Sequence, residues 1–510
     1  MGRMERYYEV GGKMSISEVR QVALGKSKLR LSETAIQRVK NARKALETML
    51  EESERIYGVN TGVGALQDTK RPINNSFFAL GKKILRSHAT GVGKATEEHI
   101  VRGAMTLLVN SLAKGHSGVR KRVIDVLIEM LNEGILPFVP RKGSVGSSGD
   151  LAPLAHMALP LIGEGEVIDE GERVKSIKIL KRENLSPLKL DPREALALVN
   201  GTYFMTSLSL FNVANATKLI TAAEITAALS FEALKAHTSP LDPKLNELRP
   251  HPGQQQTAKF MRLLMEGSSL IDSKKQNVQD AYSLRCVPQV LGSVRDALSF
   301  SRSIIEREIN SVTDNPLLFW EDEMKAVSGG NFHGSPIALS QENLGTAIAS
   351  LANISERRIA RLLDEKLSDL PAFLTSDPRN NSGFMLMQYT AAALVAENKV
   401  LAHPVNVDSL PTSANQEDYN NFGLVSARKT KQILAHACTV IAIEALCAAQ
   451  AIDLTNSAID LGNGTKKAYK RIRETIPYLK RDSTPLYTLI HKAETLIREG
   501  DLTEAVGDIR

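Results

Sequence analysis

Between residues 122 and 133, RVIDVLIEMLNE, the apolar side chains Val123, Val126, Leu127, Met130 and Leu131 recur at three- and four-residue spacing. They share one helical face, and Gly134 stops the run. The stretches 101–114, 203–238, 288–310, 340–364, 384–402 and 425–456 carry the same period and predict long helices. Several are apolar around most of their circumference, so they require cover on several sides, as in a bundle interior or an oligomer interface. The segments 384–402 and 425–456 need more cover than one bundle gives. Period-two alternation is scarce. Its clearest instance, EVIDEGERVKSIKI at 166–179, predicts a hairpin turning at Glu170-Gly171. A charged, proline-containing stretch at 181–193 separates a region rich in glycine loops, 1–190, from a helical body, 191–510. The expected fold is mainly α, with a loop-rich N-terminal domain, a small β-hairpin and a domain of long helices.

Composition narrows the function classes. The 510 residues supply ample material for a core, with 43% apolar and 24% charged residues. The net charge of +7 is mild over this length, and no basic run interleaved with aromatics predicts a nucleic-acid partner. Cys286, Cys438 and Cys447 fit neither a zinc pattern nor a disulfide scaffold, so no metal is expected. The first residues, MGRMERYYEV, lack the apolar core of a signal peptide. The greasiest stretch, 433–454, is interrupted by His436, Glu444 and Gln450 and reads as a buried helix, not a membrane span. The expected location is the cytoplasm, without membrane or nucleic-acid partners.

Residues 143–150 read GSVGSSGD. Two familiar glycine motifs fail elsewhere. Gly93-Lys94 is followed by Ala95, and His88 stands where a phosphate-binding loop needs its first glycine. TGVGALQ at 61–67 lacks the third glycine of a dinucleotide fingerprint. The backbone of Ser147-Ser148-Gly149 has other chemistry open to it. Glycine permits a sharp bend. If the bend brings the Gly149 nitrogen onto the Ser147 carbonyl carbon, a five-membered ring closes. Loss of water from the ring and of the Ser148 hydroxyl as a second water leaves an exocyclic methylidene, an electrophile made from the chain itself. Gly143 and Gly146 let the loop fold tightly, and Asp150 can accept or relay a proton. The plainer alternative is a Gly/Ser turn with Asp150 as N-cap of the helix LAPLAHMALPLI.

A series of further motifs decides between these: YGVNTGVG (57–64), LRSHATGVG (85–93), LALVNGT (196–202), QDAYSLRCVPQ (279–289), SVTDNP (311–316), SGGNFHG (328–334), SDLPAFLT (368–375), NSGFM (381–385) and TSANQED (412–418). With GSVGSSGDLAPLAH they resemble, in order, the histidine and phenylalanine ammonia-lyases, over about residues 50–460. The likeness is closer to the histidine enzymes. It implies their long helical bundle, shared with fumarase-like lyases, and a homotetramer whose active sites are lined by several subunits. It implies the prosthetic group 4-methylidene-imidazol-5-one (MIO), built here from Ser147-Ser148-Gly149, and no diffusible cofactor.

By this resemblance the reaction is non-oxidative elimination of ammonia from an amino acid, giving urocanate from histidine. Tyr57 would be the base, needing a donor or cation beside its phenol oxygen. Arg285 would clamp the substrate carboxylate with its planar fork. Asn200, Gln279 and Tyr282 would hydrogen-bond around the ring and the departing amine, and Phe332 would pack beside the prosthetic group. His88 and Glu417 would face the side-chain pocket. A carboxylate there suits an imidazole N–H and would stand unpaired against a phenyl ring, which favours histidine. The sequence departs from the pattern at Ser147, where alanine is usual, at Ala281, where proline is usual, and at Tyr419-Asn420-Asn421, where the histidine enzymes carry His-Val-Ser. Three rivals remain: a phenylalanine or tyrosine lyase or an aromatic 2,3-aminomutase using the same electrophile; a fumarase-type lyase using a loop serine directly; and a helical relative whose loop stays open and inactive.

Overall fold

The computed structural model describes residues 6–52, 55–68, 77–273, 278–321 and 323–507. Their fold is mainly α, and the chain forms two units, each assembled from separate segments. The first comprises Met1–Phe211, Arg302–Gln341 and Val405–Arg428. The second comprises Asn212–Ser301, Glu342–Pro404 and Lys429–Arg510.

In the first unit, the helix Glu98–Leu112 buries nearly every side chain and packs against Ile16–Ala23 and Lys121–Asn132. Ser15 starts Ile16–Ala23 with a reciprocal cap: its hydroxyl accepts from the Glu18 N–H, and the Glu18 carboxylate accepts from the Ser15 N–H. The hairpin pairs Glu166–Asp169 with Glu172–Lys175. Glu170 (φ +49°) and Gly171 (φ +85°) make the turn, the two positive φ values that a tight hairpin requires. The second arm stops earlier than the sequence suggests: Ser176–Arg182 is helical, because Ser176, Ile179 and Leu180 bury at helical spacing. Leu136–Pro137 adds a third strand to this sheet. Val92–Ala95 pairs antiparallel with Pro140–Lys142. That short ladder brings the segment after His88 beside the start of the 143–150 loop. A Cβ on Gly143 would lie 3.1 Å from the Gly91 Cα, so both chains are bare where they meet.

The helices that periodicity predicts are present as Glu98–Leu112, Lys121–Asn132, Tyr203–Ala233, Val287–Glu308, Ser335–Leu363, Met385–Leu401 and Gly423–Leu454. Gly423–Leu454 is long and apolar enough to cross a membrane, yet 78% of its most apolar window is buried inside the protein. It therefore finds its cover within the chain, contrary to the expectation for 425–456. Met385–Leu401 does not: Leu386, Tyr389 and Val400 are 49%, 62% and 76% exposed. Within the second unit, the fully buried Arg358 and Glu444 form a two-pronged ion pair at 2.6 and 2.8 Å. The hydroxyls of Ser230 and Ser355 donate to the same carboxylate, so its lone pairs are satisfied where water is excluded.

Candidate active site

The loop after Lys142 folds back on itself. Gly146 and Gly149 form an antiparallel bridge, which leaves Ser147 and Ser148 at the tip of a tight turn. Gly149 sits at φ +78°, and a Cβ there would lie 2.1 Å from the Gly201 carbonyl oxygen. Only glycine fits, both in backbone conformation and in space. The close approach is a parallel bridge: the Gly201 N–H donates to the Ser148 carbonyl at 3.3 Å, and the Asp150 N–H donates to the Gly201 carbonyl at 2.8 Å. On the other shoulder, the Asn421 side-chain amide donates to the Gly146 carbonyl, and the Phe422 N–H donates to the Val145 carbonyl at 3.0 Å.

Asp150 starts the helix Leu151–Ala158 but does not cap it with its side chain. Its carboxylate instead accepts from the Met205 N–H at 2.8 Å and the Ser144 hydroxyl at 3.0 Å. The group is fully buried. Burial pushes its pKa up to about 7, and these hydrogen bonds offset only part of that rise. A carboxyl that exchanges its proton near neutrality thus lies one residue from the turn.

A cavity of about 240 Å³ opens over the turn, lined by His88, Ser147, Gly149, Thr412 and Glu417 among others. The Ile84 carbonyl lies 2.9 Å from His88 Nδ1, which places the ring proton on Nδ1 and leaves Nε2 as an acceptor. Burial holds the His88 pKa below its ordinary value, against the opposing pull of the Ile84 carbonyl and the Glu417 charge. Glu417 is presented by a turn closed at both ends: the Thr412 and Glu417 backbones exchange hydrogen bonds at 2.9 and 3.3 Å. Inside it, Ser413, Ala414 and Asn415 all adopt positive φ, between 52° and 65°. Each such residue costs on the order of 1 kcal/mol, strain of the kind concentrated at functional sites. The Glu417 carboxylate accepts from the Thr412 hydroxyl at 2.9 Å and, at 3.4 Å, from the Ser148 hydroxyl.

The Tyr57 phenol oxygen accepts from the Gly64 N–H at 2.9 Å, and the Ala65 N–H donates to Ser413 Oγ at 3.2 Å. The 57–68 loop is thereby pinned to the turn that carries Glu417. Asn200 is buried beside Gly201, and its Oδ1 has no hydrogen-bond partner among the described residues. Phe332 is half-buried, two residues before Gly334, where a Cβ would meet Met205 Sδ at 2.3 Å and Asn421 Oδ1 at 3.1 Å. His88, Glu417 and the Ser147–Gly149 turn therefore share one cavity, with Tyr57 and Asn200 tied to its walls. Gln279, Tyr282 and Arg285 belong to the second unit. There Gln279 is exposed and Tyr282 is 70% exposed, with the Arg285 guanidinium 4.5 Å over its ring. Arg285 Nε is buried without a partner among the described residues.

Sequence reasoning missed Ser144 and Thr412, which hydrogen-bond the two carboxylates, and it registered Asn421 only as a departure from the histidine-enzyme pattern. Asn421 instead grips the loop backbone, a contact across 275 positions that no local pattern announces. Among the described residues no cluster of histidine, cysteine or carboxylate side chains has the form of a metal site.

A family model described as aromatic amino acid lyase matches residues 14–474. Histidine ammonia-lyase of Alkaliphilus oremlandii (strain OhILAs) is 46% identical over 497 residues, 97% of each chain. The crystal structure of tyrosine aminomutase from Streptomyces globisporus superposes with a TM-score of 0.93 at 36% identity, covering 99% of this chain and 98% of that one. That of histidine ammonia-lyase from Trypanosoma cruzi gives 0.91 at 36% identity, covering 99% and 95%.

Proposed function

The chain belongs to the aromatic amino acid lyase family, and on that premise we propose that it is a histidine ammonia-lyase, converting L-histidine to urocanate and ammonia in the cytoplasm. The observation that carries the substrate is the pairing of His88 and Glu417 in one cavity over the glycine-bounded turn. A neutral His88 with its proton on Nδ1 offers Nε2 to an imidazole N–H, and the Glu417 carboxylate offers a second acceptor. A phenyl side chain would leave His88 Nε2 without a donor and Glu417 with only the Thr412 and Ser148 hydroxyls, at a cost of about 1–3 kcal/mol for the unpaired nitrogen.

The residues present fit MIO. The turn is bounded by Gly146 and Gly149, the second of which tolerates no side chain, and the unpartnered Asn200 Oδ1 lies beside the backbone that clips it. Ser147, Ser148 and Gly149 would form the group, Asn200 and Phe332 would hold it, and Asp150 would carry a proton near it. When formed, MIO supplies an electrophilic alkene that makes the substrate amine a competent leaving group. Tyr57 takes the β-proton, with the Gly64 N–H fixing its oxygen. Asn200 accepts from the departing amine.

Gln279, Tyr282 and Arg285 come from neighbouring copies in a homotetramer, where Arg285 binds the substrate carboxylate and Gln279 and Tyr282 line the amine. The exposed Tyr282, the orphaned Arg285 Nε and the apolar face of Met385–Leu401 all fit such contacts. The unpaired cysteines fit a reducing compartment. The test is steady-state assay with histidine, tyrosine and phenylalanine, together with the mass of the peptide spanning 147–149. Urocanate from histidine and a deficit of two waters are expected. Turnover of tyrosine or phenylalanine without urocanate would overturn the assignment.

A further inference from the structure

We propose that Asn421 is the positioning residue that sets the geometry in which the Ser147–Gly149 turn closes into a ring. This rests on the reading above that the turn cyclises. Asn421 is 2% exposed, and both ends of its carboxamide are committed. Its Nδ2 donates to the Gly146 carbonyl, and its Oδ1 accepts from the Gly423 N–H at 2.9 Å, which fixes the amide's orientation. The next residue, Phe422, at φ +53°, delivers its N–H to the Val145 carbonyl. Two consecutive residues thus hold the two consecutive carbonyls that enter the turn. The fit is tight in the other direction too: a Cβ on Gly146 would lie 2.4 Å from Asn421 Oδ1.

The exit shoulder is clipped to Gly201, so the atoms that must react lie between two anchored ends. In the reaction the Gly149 nitrogen bonds to the Ser147 carbonyl carbon, and its proton passes to the oxygen. That oxygen leaves as water with the Ser148 amide proton. The Ser148 hydroxyl leaves with the Ser148 α-proton as the second water. The Gly146 carbonyl is also the acceptor that a tight turn uses to tie down the Gly149 N–H. Asn421 competes for that carbonyl, which loosens the hold on the nitrogen that must leave its amide plane. Asn421 touches neither reacting atom, so its role is positioning, and its loss misplaces the nucleophile without removing it.

The test compares wild type with Asn421→Ala, Asn421→Asp, which keeps the shape but loses the donor, and Asn421→Ser, which restores a small donor. Ile443→Ala, a buried change in the second unit, serves as the stability control. The full-length proteins are expressed alike, and the loop peptide is weighed as a function of time, with thermal midpoints measured alongside. Cyclisation is expected to slow on the order of a hundredfold in Asn421→Ala and Asn421→Asp. Partial recovery is expected in Asn421→Ser, and full cyclisation in Ile443→Ala. Folded Asn421→Asp that cyclises at the wild-type rate overturns the proposal. An open turn in wild type overturns instead the reading on which it rests.

Discussion

A methyl group on Gly149 would push a carbon to within 2.1 Å of a backbone oxygen that cannot rotate away. Gly149→Ala is therefore expected to lower stability by about 1–3 kcal/mol and to leave the peptide open. Its mass should equal that of the unmodified chain, and a two-water deficit in this variant would remove the steric argument. Asp150 gives a second test through pH. Its carboxyl keeps its proton in the folded protein up to about pH 7, while an unfolded aspartate releases it near 3.8. Between those values the folded chain binds more protons than the unfolded one, so stability falls as pH rises and is level above. The fall amounts to about 4 kcal/mol. Asp150→Asn lacks this slope, so its thermal midpoint relative to wild type should climb from about pH 4 to about pH 7 and then level off; a constant difference would refute the burial account. Glycine placement made this turn legible in the sequence, because two glycines bracketing two serines, with a third glycine just before, serve no helix or strand. The partner of the turn was not legible, since an asparagine distant in the chain carries no mark of what it grips.

At the scale of elements, the buried Arg358–Glu444 pair joins Ser335–Leu363 to Gly423–Leu454 inside the second unit. Four donors converge on one carboxylate, so removing the arginine leaves a charge with two hydroxyls and no counter-ion. Arg358→Met is expected to cost about 3–5 kcal/mol in chemical denaturation. The double variant with Glu444→Gln should regain most of the loss, and equal loss in both would show that packing, not charge, is at stake. The long helices were legible because their period repeats over several turns. The parallel pair Tyr7–Val10 and Lys28–Leu31 was not, since four residues are too few for alternation to declare itself. The hairpin was overextended for a related reason: Ile177 and Ile179 alternate with Ser176 and Lys178 well enough to imitate a strand, while burial of Ser176, Ile179 and Leu180 decides for a helix.

At the scale of the whole molecule, the proposed shared active sites make a sharp prediction. Tyr57→Phe and Arg285→Lys each inactivate the homo-oligomer. Co-expressed, they should yield hybrids with histidine lyase activity that neither parent has, because some sites then draw both intact residues from different subunits. Hybrids as inactive as the parents would place both residues in one subunit's site. The role proposed for Arg285 rests on family resemblance alone, since nothing in its own neighbourhood presents a ligand.

The grip of residue 421 on residue 146 also bears on when this protein becomes chemically competent. A nascent chain halted before residue 420 has the serines, the glycines and the Gly201 clip but lacks the residues that hold the two entering carbonyls, so the ring should form only after most of translation is complete. The catalyst would be neither delivered nor encoded as a side chain. It would arise as a late consequence of correct folding, and the modified fraction in any preparation would record how many molecules had reached the native state.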